Sequence, residues 1–302
     1  MNAYDLGESN DNFCLRQLKN MKIRLKTIIL FLFWAAAFYP VYPDLVSTWL
    51  NHSDNSHGIL VPLITAYLIW QKREQLLKTS TSNSKWGALV FFISIFFYFV
   101  SFIGAIAVVS RAMIVFSLIG LVWFNFGGAV FSIIQFPLLY LLFMVPVPDT
   151  ILGILALPLQ IFATKLSAFL IQLTTIPVYR EGNMLYFVQT QLEVTEACSG
   201  LRSMMAFIML GILFAYIMKN WPGRLIIVFS AIPLAIFANL VRVTGTGILA
   251  HFYGGKVAQG FLHDFSGLAV FAFGFGLLFL EYLLLNRFGP KLDRSNQSVN
   301  PE

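Results

Sequence analysis

Long apolar runs separated by short polar or basic breaks make up most of the chain beyond residue 26. At 18 or more residues such a run crosses a hydrocarbon layer of about 30 Å as helix, the form that satisfies its own backbone where no water is at hand. The pattern predicts spans at about 27–42, 56–70, 86–109, 111–126, 128–145, 198–218, 223–250 and 264–286, the second shorter than the rest. Gly127 and Gly128 mark a turn between the fourth and fifth. Residues 151–177 are apolar too, but Gln160, Thr164, Lys165 and Gln172 interrupt them, which reads as an amphipathic helix or a re-entrant pair on the outer face. Residues 179–195 are the most polar of the middle of the chain. There, the alternation of Leu185 and Phe187 with Tyr186 and Val188 predicts a short β-hairpin. The expected fold is an all-α polytopic membrane protein of about eight transmembrane helices, with an outer-face amphipathic or re-entrant helical segment and a short β-hairpin.

Composition leaves no room for a sizeable soluble domain: 58% of the residues are apolar and 11% charged, against about 25% charged in soluble domains. One membrane domain, residues 27–286, is expected between cytoplasmic tails at 1–26 and 287–302. The first apolar run follows basic residues as a secretory signal does. It lacks a small-residue cleavage site and reads as a retained anchor. The net charge of +6 gathers beside the spans, so it reports topology and points to membrane lipids, with no nucleic acid as partner. Arg16, Lys19, Lys22, Arg24 and Lys26 place the N-terminus inside, as Arg287, Lys291 and Arg294 do the C-terminus. Lys72, Arg73, Lys78 and Lys85 mark an inner loop, whereas the loop carrying Asp44, His52, Asp54 and His57 holds no Lys or Arg and belongs outside. Lys219 and Arg224 mark the inner ends of the sixth and seventh spans. A crossing at 151–177 would therefore invert the later charge pattern, which is why that segment is kept outside.

Topology turns into chemistry in the last three spans. At 1.5 Å per residue Cys198 lies roughly 31 Å from Lys219, Arg242 roughly 27 Å from Arg224, and His263 roughly 36 Å from Arg287. The three reach one depth, at the outer interface. A thiolate attacks a carbonyl, a guanidinium receives an oxyanion, and an imidazole moves protons near neutral pH. Each residue also has a structural reading: a small packed thiol, a snorkelling arginine, a loop histidine. Arg242 resists it best, because Asn239, Thr244 and Thr246 share its apolar span. Cys14 and Cys198 are too few and too far apart for a disulfide framework or a zinc cluster, and no cofactor or metal is expected.

The motifs EACSGLRS (196–203), ANLVRV (238–243), HDFSG (263–267) and SHGILVP (56–62) resemble those of the exosortases, the bacterial branch of the exosortase and archaeosortase group of membrane cysteine transpeptidases. The resemblance implies Cys198 as nucleophile, Arg242 as stabiliser of the transition state and His263 as general acid and base. It implies exported protein substrates with a C-terminal tripartite sorting signal, namely a Pro-Glu-Pro-type motif, a transmembrane helix and a basic cluster. It also implies a thioester resolved by water or an unidentified acyl acceptor, and a place in the bacterial inner membrane with the site facing outward, alongside exopolysaccharide production. Around that trio, Glu196 either orients His263 or Arg242 or caps the sixth span, and Asn239 holds Arg242. Ser199 and Gly200 offer backbone N–H groups to an oxyanion. His57 is an alternative base, and Arg202 contacts lipid phosphate or substrate or simply packs. Two other classes compete. A transporter would use Arg242 to bind an anion, but no internal repeat or paired broken helices are visible. A transferase of polysaccharide assembly would ordinarily carry outer-face carboxylate or histidine clusters.

Overall fold

The computed structural model describes residues 25–195, 199–254 and 261–288, with side chains from 267 to 287 in the last stretch. The chain divides into two compact units at Pro146 and Val147.

In the N-terminal unit, α1 (Leu25–Ala37) and the segment Tyr39–Asn51, most of which is α2 (Tyr42–Asn51), are bent by 45°. Pro40 and Pro43 stand in the first turns after the bend, where a missing N–H is harmless. A 3₁₀ stretch (Ser53–Ile59) leads into α3 (Leu60–Gln71), α4 (Arg73–Lys78), α5 (Lys85–Ile103) and α6 (Ala107–Tyr140). Arg111 of α6 donates through Nη2 and Nε to Asp44 Oδ2 at 2.6 and 3.2 Å and through Nη2 to Thr48 Oγ1 at 3.1 Å. This fastens α2 to α6. Gly127 breaks α6 with φ 85° and ψ 176°, a conformation glycine adopts without a Cβ penalty. A side chain there would also run into Ser82. Trp123 and Phe131 stack across the break with centroids 4.8 Å apart, although eight residues of straight helix span about 12 Å.

The C-terminal unit contains α7 (Asp149–Leu173), a β-meander of β1 (Val178–Glu181), β2 (Met184–Phe187) and β3 (Gln191–Glu193), then α8 (Leu201–Ile217), α9 (Trp221–Tyr253) and α10 (Phe261–Phe288). The other helices pack on α9. Along its Ala231, Ala235 and Ala238 face, α8 and α10 approach closely: a Cβ at Gly211 would lie 3.1 Å from that of Ala231, and one at Gly274 3.3 Å from that of Ala238. Small residues give apolar helices this close van der Waals contact in place of a hydrophobic drive. Both α8 and α10 run antiparallel to α9, since Gly200 meets Asn239, Asn220 bonds to Leu285, and Ser230 bonds to Glu281.

In contrast, α7 runs parallel to α9. Leu159 to Leu166 face Ala235 to Leu240, and further along Ile171 approaches Gly247. The meander then covers the ends of α7 and α9. Val178, Leu185, Phe187, Leu192 and Val194 turn inward onto Ile171, Ile176 and Val243. The predicted hairpin is thus present and gains a third strand, with Glu181 paired to Met184 across Gly182 and Asn183. Gly182 takes φ 57°, as a tight primed turn demands.

The expected span count changes. Among the described residues five helices are long and apolar enough to cross a membrane, or six if the bent pair is one span. α3 and α8 fall short at 12 and 17 residues, and the expected fourth and fifth spans form one kinked stretch, Ala107–Met144. Conversely, Thr150–Leu173 is a single helix of spanning length and not a re-entrant pair. Of the four polar residues that suggested an outer-face segment, two turn inward. Gln160 and Thr164 are buried, with Thr164 Oγ1 donating to Gln160 O at 2.6 Å, while Lys165 and Gln172 are exposed.

Candidate functional site

The two ends of α9 are built differently. At its start Asn220 accepts the Gly223 N–H at 2.8 Å and donates to Leu285 O at 3.2 Å. There too Arg224 donates through Nε and Nη2 to Met218 O at 2.9 and 2.6 Å. These contacts satisfy helix-end groups that would otherwise be orphaned. They also pin the start of α9 to the ends of α8 and α10.

Toward the other end lies the turn Ala238–Arg242, with Asn239 buried at 4% exposure. Gly200, the residue before α8, has φ 86°, and a Cβ there would stand 2.8 Å from Asn239 Cγ. Only glycine fits both demands, so the chain leading into α8 is seated on the Asn239 side chain. Beside it, buried Ser199 accepts the Leu201 N–H through Oγ at 3.3 Å. One turn on from Asn239, Arg242 Nη1 lies 3.7 Å from where a Cβ would sit on Gly267 of α10. The ANLVR turn therefore meets a glycine from each flanking motif, Gly200 of EACSGLRS and Gly267 of HDFSG.

Glu196 and Cys198 lie outside the described residues, in the link of 196–198 between Thr195 and Ser199. The anchors on either side of that link are firm: Val194 is buried at 1%, its N–H bonded to Asn183 O at 2.9 Å, and Ser199 is buried at 5%. His263 is the third residue of α10, one turn before Gly267, and its side chain lies outside the described atoms. Arg202 is exposed on the first turn of α8. His57 belongs to the N-terminal unit, half-buried in the 3₁₀ stretch. The glycine beside it has a packing role, since any Cβ on Gly58 would overlap the Trp49 indole, whose Nε1 donates to Met144 O at 2.9 Å.

A narrow cleft opens between α7, α8 and α9 at this level. Ser199, Gly200 and Asn239 form its polar lip, and apolar side chains including Phe162, Leu166 and Met204 form its walls. Its inner volume of about 10 Å³ holds no more than one water. Sequence reading passed over His251 on the last turn of α9. Its Nδ1 is buried without a hydrogen-bond partner among the described residues, and its ring lies 6.1 Å from Phe187 of the sheet. Nothing in ILAHFY singles that histidine out beyond its being one of four in the chain.

A guanidinium, a buried amide and a helix start, arranged around the residues next to a cysteine, can bind and stabilise an oxyanion. No curated protein and no solved structure matches the chain. The family model described as transmembrane exosortase (Exosortase_EpsH) matches residues 49–280, most of the chain, and the chain belongs to that family.

Proposed function

We propose that this exosortase-family protein is a membrane cysteine protease or transpeptidase that cleaves the C-terminal sorting signal of exported proteins at the outer face of the inner membrane. The observation that carries the reading is the convergence of the ANLVR turn with Gly200 and Gly267, which belong to the same short motifs as Cys198 and His263.

In this reading the Cys198 thiol passes its proton to His263, and Sγ attacks the scissile carbonyl carbon. The electron pair moves onto the carbonyl oxygen. Arg242 receives that charge, together with backbone N–H groups at Ser199 and Gly200. Collapse breaks the C–N bond, the departing amine takes the proton from the imidazolium, and a thioester to Cys198 remains. Water or an amine acceptor then attacks the thioester, giving up its proton to His263 and returning the thiolate, which His263 reprotonates. Asn239 positions the segment around Cys198 through its packing on Gly200, and Glu196 orients His263 or Arg242.

Replacing Cys198 by Ala or Ser and following a tagged, signal-bearing substrate in membranes tests the reading. Processing should fall to background in both variants while the protein level in the membrane is maintained. Processing at the wild-type rate in Cys198→Ala would refute it.

A further inference from the structure

We infer that the cleft between α7, α8 and α9 receives the substrate side chain beside the scissile bond and admits only a small, uncharged one. This rests on the transpeptidase reading of Cys198. The lip of the cleft consists of Ser199 and Gly200, the two residues that follow Cys198 in the chain, and of Asn239, one turn before Arg242. Consecutive Cα atoms are about 3.8 Å apart, so a peptide held for attack by Cys198 has its neighbouring side chain within reach of this lip. The cleft touches both Ser199 and Gly200, which follow Cys198 in the chain, and Asn239 and Leu240 of the ANLVR turn.

Its chemistry restricts the occupant. Among the described residues no Lys, Arg, Asp or Glu lines it, and a charged side chain entering an apolar slot lined by these residues would lose its hydration without a counter-charge from them. The inner volume of about 10 Å³ matches one water or one methyl group. Two buried polar side chains stand at the mouth, Ser199 at 5% and Asn239 at 4% exposure, suited to a hydroxyl or to the peptide backbone next to the pocket. Ala, Ser or Gly therefore fits, and Leu or Phe does not. Each methylene too many in such a pocket costs about 10- to 200-fold in relative turnover.

The experiment uses the full-length enzyme in membranes and a tagged full-length substrate carrying Gly, Ala, Ser, Leu or Phe in turn at each of the two positions flanking the cleavage site. The wild type should favour the small residues over Leu by at least about tenfold at one of those positions. Enlarging the slot with Leu166→Ala or Met204→Ala should shrink that ratio, and filling it with Ala163→Leu should steepen the preference toward Gly. The ratio is taken within one enzyme preparation, so a smaller folded fraction does not alter it. A ratio identical in wild type and all three variants, with processing still dependent on Cys198, overturns the pocket alone. Processing that ignores Cys198→Ala overturns the pocket and the transpeptidase reading together.

Discussion

Arg111 and Arg242 both sit in long apolar helices, where an ionisable side chain is expensive and either paired or functional. Arg111, 8% exposed, is clasped by Asp44 and Thr48 from a helix more than sixty residues away in sequence. Both of its bonds to the carboxylate end on the same oxygen, Oδ2. Arg242 is half-exposed, and among the residues beside its guanidinium is Gly267, where a Cβ would lie 3.7 Å from Nη1. A carboxylate that clasps an arginine fixes a fold, whereas a glycine in the facing helix leaves room beside one. An arginine in an apolar helix thus becomes informative only through its neighbour.

The comparison breaks first on substitution of the arginines themselves. Loss of one oxyanion donor typically costs about 10²–10³-fold in kcat. Arg242→Ala should lower substrate processing per folded molecule by that factor, with thermal unfolding in detergent little changed. Arg242→Lys should recover only part, because an ammonium lacks the planar fork of donors. If Arg242→Ala instead unfolds the protein and leaves the surviving molecules fully active, Arg242 is a second clasp. For Arg111→Ala the opposite split is expected: hydrogen bonds to a charged group are worth about 1.5–3 kcal/mol, lost as stability, with activity per folded molecule retained. Asp44→Ala alone should cost at least as much, since it leaves the buried guanidinium without its counter-charge, whereas the exposed carboxylate left by Arg111→Ala stays in water.

Nothing in the sequence near residue 111 names Asp44 as its partner, because pairing across 67 positions is a tertiary fact. Hydropathy located most of the helices for a simple reason, that a run of spanning length is visible residue by residue. At α7 it was least informative: Gln160 and Thr164 look like part of a polar surface stripe but are buried in the protein, while Lys165 and Gln172 are exposed, so polarity along that helix did not by itself mean contact with water. The motifs of the site were legible as well, with Asn239 expected to hold Arg242. What sequence could not supply was the packing of Asn239 against Gly200 of the neighbouring helix start. The two glycines carry no polar signal, and the requirement for them lies in backbone angle and in the distance between helices.

Those glycines give the next and smaller effect. At Gly200 an alanine would hold φ 86°, a left-handed conformation costing about 1–2 kcal/mol for an L residue. Its Cβ would also press on Asn239. Gly200→Ala should therefore lose both stability and processing, the latter because the strain falls two residues from Cys198. Combining it with Asn239→Ala relieves the overlap but leaves the backbone strain, so a double-mutant cycle should show a favourable coupling on stability. Purely additive losses would mean that the contact between the two residues carries no energy.

The smallest effect is expected at Gly267, and it discriminates between an open approach and a tight seat. A Cβ there would lie 3.7 Å from Arg242 Nη1, an ordinary contact distance. In a helix interior alanine is favoured over glycine by about 0.5–1 kcal/mol. Gly267→Ala should accordingly leave processing within about twofold and raise thermal stability slightly, unlike Gly200→Ala. Gly267→Leu carries its added volume into the space beside the guanidinium, so processing should fall while the helix remains stable. If Gly267→Ala is as damaging as Arg242→Ala, the space between α9 and α10 is closed to substrate, and the glycine is there for packing like Gly274. If even leucine is accepted without loss, the oxyanion approaches Arg242 from another side, and the contrast with Arg111 must rest on Asn239 and Gly200 instead.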